Sequence, residues 1–189
     1  MQKCPLKLRS PPLFPREAPN GVKTTLCSFC LKSGILCSKC QSKIKSGEVS
    51  ETDLKIARLL LSLEATNPTL QDVHFHKAVE ADDVLALIVG RGDISSFLGQ
   101  GRKIVKVLEE KIGKKIRVLE ESVDDRKFLE DLFAPLSIIT INTIWLPDGT
   151  TETRVILKRR GRTPPPVKVK AVKEIAKKVR NITLRVEFD

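Results

Sequence analysis

Tyrosine is missing from this chain of 189 residues, tryptophan occurs once and phenylalanine seven times. Folds that grip single strands by stacking bases on exposed aromatics, such as an RRM sheet or an aromatic-lined OB groove, find little to work with here. Long hydrophobic runs are missing too: no uninterrupted stretch reaches the roughly 18 apolar residues that a membrane span needs. The opening MQKCPLKLRSPPLFPREAPNG interleaves charge with proline, where a secretion signal has a continuous apolar core. These absences lead to the expectation of a cytoplasmic protein without a membrane partner. Catalytic groupings are equally scarce. His74 and His76 share one face of an alternating segment with no third ligand beside them, which favours a structural role. Gly90-x-Gly92 lacks the third glycine of a dinucleotide fingerprint. The pairs Asp82-Asp83 and Asp124-Asp125 stand at a turn and a helix start, where capping accounts for them. With no Ser/His/Asp or Cys/His arrangement in view, the expectation is no enzyme and no small-molecule substrate.

Positive charge is what the chain has in excess: 34 Lys and Arg against 23 Asp and Glu give a net +11. The excess is blocked. Residues 1–47, 99–119 and 151–189 are basic, whereas 48–98 and 120–150 are acidic. Lysine and arginine release condensed counterions when they meet phosphates, so basic blocks set between acidic ones suggest faces aimed at a polyanion. Solvated charged faces are the plain alternative.

Four of the five cysteines fall in the spacing Cys27-x2-Cys30-x6-Cys37-x2-Cys40. Each CxxC turn points two thiolates at one place, and four thiolates complete a tetrahedral Zn(II) site. Disulfides are the alternative, disfavoured because nothing indicates an oxidising compartment. Since protein fills all four positions, no place is left for a catalytic water, and the expected role of this one zinc ion is structural. The short spacer fits a compact knuckle, and Lys32, Lys39, Lys43 and Lys45 surround it without an acid. Cys4 has no partner in sequence and is expected to be a free thiol.

The pattern divides the chain into an extended basic, proline-rich tail at 1–26, the zinc module at 27–47, and two further parts at 48–134 and 135–189. Ser50 and Asp53 form a capping box ahead of an amphipathic helix. Alternation over Val73–Val79 and the run VLALIV at 84–89 predict two strands around an Asp82-Asp83 turn. A short helical turn from Asp93 leads to Gly99-Gln100-Gly101, and helical spacing of Ile104, Val105, Leu108 and Ile112 follows. KKIRVLE at 114–120 is the next strand, and an acidic helix runs from about Val123 to Leu132. Asp148-Gly149 predicts a hairpin between SIITINTIWL and TETRVILKRR, with Trp145 as a core anchor. A helix at about Val169–Val179 and a strand at 182–188 finish the pattern, so the second half reads as a worn copy of the first.

FLGQGRKIVKVLEEKIGKKIRVLE at 97–120 resembles the signature of K-homology (KH) domains, where a glycine loop stands at the head of a helix. The leading helix and two strands are similar to the type II form found in NusA. DLFAPLSIITINTIWLPDGTTETRVILKRR at 131–160 resembles the junction and second KH domain of archaeal NusA-like proteins. The resemblance spans about residues 50–189 and implies an α+β chain. It pairs a type II KH domain with a degenerate KH-like domain, behind a small N-terminal zinc knuckle. It also implies that RNA is bound at Gly99, Gln100, Gly101 and Arg102, with Lys103 and Lys106 beyond. Glycines at a helix head let the backbone approach a sugar-phosphate chain, and free N–H groups there attract phosphate. This chain departs from the family pattern in placing Arg102 where the last glycine belongs. In the second half, Arg162-Thr163-Pro164-Pro165-Pro166-Val167 replaces the glycine loop, and three prolines remove donors and stiffen the turn. That copy is expected either to pack against the first or to offer Lys158, Arg159, Arg160 and Arg162 as a flat basic surface. The resemblance implies a non-catalytic RNA-binding factor of the transcription machinery, with nascent RNA and RNA polymerase as partners. A ribosomal or ribosome-associated protein binding rRNA is the alternative, suggested by the tail and the knuckle.

Overall fold

The computed structural model describes residues 21–158 and 168–189. A small cysteine-bearing module comes first: β1 (Lys23–Thr24), α1 (Ser28–Ser33) and α2 (Ser38–Lys45). The first larger unit follows with α3 (Glu51–Glu64), a 3-10 turn at Pro68–Leu70, β2 (His74–Ala81), β3 (Val84–Val89), α4 (Ile94–Ile112), β4 (Lys115–Glu120) and α5 (Asp125–Phe133). The second has β5 (Ile138–Trp145), β6 (Thr151–Leu157), α6 (Val169–Arg180) and β7 (Leu184–Phe188). The chain is thus mixed α+β with a four-cysteine cluster near its N-terminus.

Local chemistry sets these elements. The Ser50 hydroxyl accepts from the Asp53 N–H at 3.0 Å, and the Asp53 carboxylate accepts from the Ser50 N–H at 2.7 Å, which closes the capping box of α3. The other carboxylate oxygen of Asp53 accepts from the Ala78 N–H, so the same buried side chain fixes α3 against β2. In the hairpin the Thr150 N–H and hydroxyl donate to the Asp148 carboxylate at 2.9 and 2.7 Å.

Both sheets use one plan. In the first, β3 is antiparallel to β2 and parallel to β4; in the second, β6 is antiparallel to β5 and parallel to β7. Every residue of β3 is buried, because its two faces serve different cores. Leu85, Leu87 and Val89 meet α3, α4 and the cysteine module, alongside Ile56, Leu60, Leu108 and Cys30. Val84, Ala86 and Ile88 meet α5 and the second unit, alongside Leu129, Val155, Leu157 and Ile175. A strand buried on both faces reads as an unbroken apolar run.

Two expectations need correcting. Residues 21–26, read as part of an extended tail, pack onto the body: Val22 and Leu26 are buried, Val22 N–H donates to Glu64 Oε2 at 3.1 Å, and Lys23–Thr24 pairs in parallel with β2. Two strand residues are too few to show alternation. Residues 1–20, with Cys4, lie outside the described part. Trp145, read as a core anchor, is 76% exposed, since it ends the edge strand β5 opposite Thr151, next to the hairpin turn. No helix among the described residues is long and apolar enough to cross a membrane.

Candidate functional site

The two CxxC turns fold alike. Cys27 and Cys37 occupy the positions just ahead of α1 and α2, while Cys30 and Cys40 sit one turn inside those helices. Their four Sγ atoms lie within 4.8 Å of one another. Backbone donors cross between the turns: Cys37 N–H reaches Cys30 Sγ at 3.0 Å and Cys27 N–H reaches Cys40 Sγ at 3.5 Å. Such donors favour thiolates. The Cys40 N–H, with the Cys30 sulfur, draws the exposed Cys37 down to about 7. Cys30 receives the Cys37 N–H, which lowers it, yet the adjoining Cys27 sulfur and burial prevail and push it up to about 12. Burial raises Cys40 as well. Four sulfurs in contact resist ionising together, and a cation at their centre removes that resistance. Donor number, softness and spacing therefore fit one metal ion. Among the described residues this is the one cluster of three or more metal-type ligands. His74 and His76 take no part in it: His74 Nδ1 faces Asp93 at 3.5 Å and His76 Nε2 faces Glu121 at 3.1 Å.

The glycine segment does not stand outside the helices as a separate loop. α4 runs from Ile94 to Ile112 without an assigned break, but Gly101 and Arg102 hold φ of +70° and +62° inside it. Two successive left-handed residues interrupt a right-handed helix, so the turn is built into α4 and redirects it. Gly101 carries this conformation at little cost; Arg102 carries it against its Cβ, at about 1–2 kcal/mol. Gly99 differs from both. It has no positive φ, and a Cβ built on it would meet nothing within 4 Å. Gly90, by contrast, is required by packing, since a Cβ there would lie 2.6 Å from Asp93 Oδ2 and 3.0 Å from His74 Cβ. Gly99 therefore answers to no demand from the described residues, although glycine weakens a helix interior by about 1 kcal/mol relative to alanine.

Around this bare backbone Arg102, Lys103 and Lys106 are exposed and have no ion-pair partner among the described residues, and Gln100 lies between the glycines. On the neighbouring strand is a residue that the sequence pattern missed. Arg117 on β4 is only 7% exposed and its Nε lacks a hydrogen-bond partner. Burial first, and then the charge of Arg102, hold Arg117 down at about 10, with Glu109 partly offsetting them. A buried guanidinium beside a second arginine is a place where an anion would relieve both desolvation and repulsion. Alternation in KKIRVLE gave its position on a strand; nothing local announced its burial. Of the basic cluster expected in the second unit, Lys158 is exposed at the end of β6, whereas Arg159, Arg160 and Arg162 lie outside the described residues.

No family model matches the chain. The probable transcription termination protein NusA of Methanocaldococcus jannaschii is 42% identical over 65 residues, 34% of this chain and 34% of that protein. The protein of the same description from Methanococcus vannielii is 35% identical over 65 residues, 34% of this chain and 36% of that protein. The chain thus spans about a third of the length of the curated relatives it matches. The crystal structure of APE1850 overlaps 75% of this chain and 100% of its own, with 20% identity and a TM-score of 0.48.

Proposed function

We propose that this chain is a non-catalytic, NusA-like RNA-binding factor of the transcription machinery. In this reading residues 48–134 form a type II KH domain that grips single-stranded RNA at Gly99–Arg102, and residues 135–189 form a degenerate KH-like domain. Cys27, Cys30, Cys37 and Cys40 hold one structural Zn(II), which fixes the knuckle and leaves no open coordination position. The observation that carries the RNA site is Gly99: a helix-interior glycine with open space above it keeps backbone bare for something outside the chain. Arg102, Lys103 and Lys106 flank it as exposed cations. A phosphodiester chain fits such a place, since backbone approach and charge act together. The transcription setting is taken from the description of the two relatives as probable transcription termination proteins, and RNA polymerase as a partner and the cytoplasm as the location are parts of this proposal. Neither is described as ribosomal, and the rRNA alternative has no support from them.

Gly99→Asp is the decisive variant, because open space lets the fold accept it while a side chain and a negative charge enter the groove. Binding of a short fluorescent single-stranded RNA is expected to weaken about tenfold or more, a loss of at least about 1.4 kcal/mol. Val167→Asp in the second unit is expected to change it far less. Equal losses would mean that diffuse charge, rather than this turn, binds the RNA.

A further inference from the structure

A groove opens at the C-terminal end of α4, away from the glycine turn. It has a volume of about 670 Å³ and lies between α3, the start of β3 and the C-terminal turn of α4. Leu59 and Ile112 form its apolar floor over the buried Ile56 and Leu85. Four cations line it, Lys55, Arg58, Lys111 and Lys114, against the single carboxylate of Glu80. Lys114 is already paired with Glu80. Lys55, Arg58 and Lys111 have no carboxylate partner among the described residues. Arg58 is held in place from the cysteine module, since its guanidinium donates to the Gly34 carbonyl at 3.1 Å, and its buried Nε has no acceptor. Lys55, Arg58, Leu59 and Ser62 recur at three- and four-residue steps, so α3 turns one continuous face to this groove.

We infer that this groove docks an acidic amphipathic segment of a protein partner, with aliphatic side chains on the floor and carboxylates on Lys55, Arg58 and Lys111. Charge complementarity selects the sign of the partner, and the floor selects its class. A phosphodiester chain would leave Leu59 and Ile112 unused, and no aromatic lines the groove to stack a base. An aliphatic peptide side chain buries that floor, and each carboxylate meets a cation that lacks one. Arg102 and Lys111 are nine residues apart on α4, roughly 14 Å along a helix axis. Peptide and RNA can therefore be held at once, one at each end of the same helix.

The test uses the intact protein and a short fluorescent peptide of leucine and glutamate, beside two controls of equal length, one of glutamate and serine and one of leucine and serine. The Leu/Glu peptide is expected to bind, and both controls to bind at least about tenfold more weakly. K55E/K111E reverses two exposed rim charges outside the core and is expected to weaken the Leu/Glu peptide about tenfold or more. Single-stranded RNA binding should be unchanged in that variant, and Gly99→Asp should leave peptide binding unchanged. No binding of the Leu/Glu peptide to the unaltered protein, or equal binding by K55E/K111E, overturns the proposal. So does an RNA affinity that falls with the rim charges, which would assign the groove to nucleic acid. Loss of RNA binding in no variant would count against the glycine turn and leave the peptide groove standing.

Discussion

In the first unit the sheet is covered twice: α3, α4 and the cysteine module lie on one face, and α5, α6 and part of the second sheet on the other. The second unit repeats the strand order, but among the described residues only one face of its sheet is buried. On its open face Arg154 and Glu187 pair across β6 and β7, with the Arg154 Nε donating at 3.0 Å. The arginines of the two units sit accordingly. Arg117 is buried beside Arg102 and held low, whereas Arg154 is half-exposed and raised by Glu187. The helices differ as well. α4 carries a glycine turn with open space above Gly99, while α6 presses Ala171, Val172, Ile175 and Ala176 into the first sheet's second core. A shared topology thus carries two different helices: α4 holds a left-handed turn at Gly101 and Arg102, and α6 covers the first sheet.

The largest test of this contrast removes a cover. Stripping the metal with a chelator under reducing conditions is expected to release one zinc equivalent per chain and unfold the cysteine module, because metal binding in such small modules is worth about 10–16 kcal/mol of folding. Thiol reagents should then reach Cys30 and Cys40, while amide exchange in β5, β6 and β7 stays slow. A protein purified without zinc and melting normally would show that the first sheet needs no such cover. Next, Ile175→Ala is expected to cost about 2–5 kcal/mol, and urea should unfold both sheets in one transition, since the deleted atoms lie in the layer they share. Two separate transitions would break the idea that α6 belongs to both units. The smallest effect concerns the turn itself. Arg102→Gly relieves the left-handed strain but adds chain entropy to the unfolded state, so a net gain of at most about 1 kcal/mol is expected in a thermal melt. A loss instead would mean that the Arg102 side chain holds the turn together.

Much of this was legible in the residues. Ser50 and Asp53 announced α3, VLALIV announced a strand with two buried faces, Asp148-Gly149 announced the hairpin, and the cysteine spacing announced the cluster. Each signal is local, being a cap, a run, a turn or a fixed spacing. What escaped depends on residues far apart in sequence. Val22 is buried because Glu64 and β2 receive it, Arg117 because it pairs with Ala86 on β3 in a doubly covered sheet, and the α6 face because β2 and β3 lie beneath it. The left-handed Arg102 escaped for another reason: a glycine turn was expected at this place, but an arginine gives no local signal for a positive φ.

The layer shared by β3 and α6 also bears on how the chain is made. Val84, Ala86 and Ile88 leave the ribosome long before Ile175 does, and their cover on that side includes a helix some ninety residues downstream. During synthesis the back of the first sheet is therefore an apolar surface waiting for its partner, the kind of transient exposure that chaperones recognise and that invites pairing with another nascent chain.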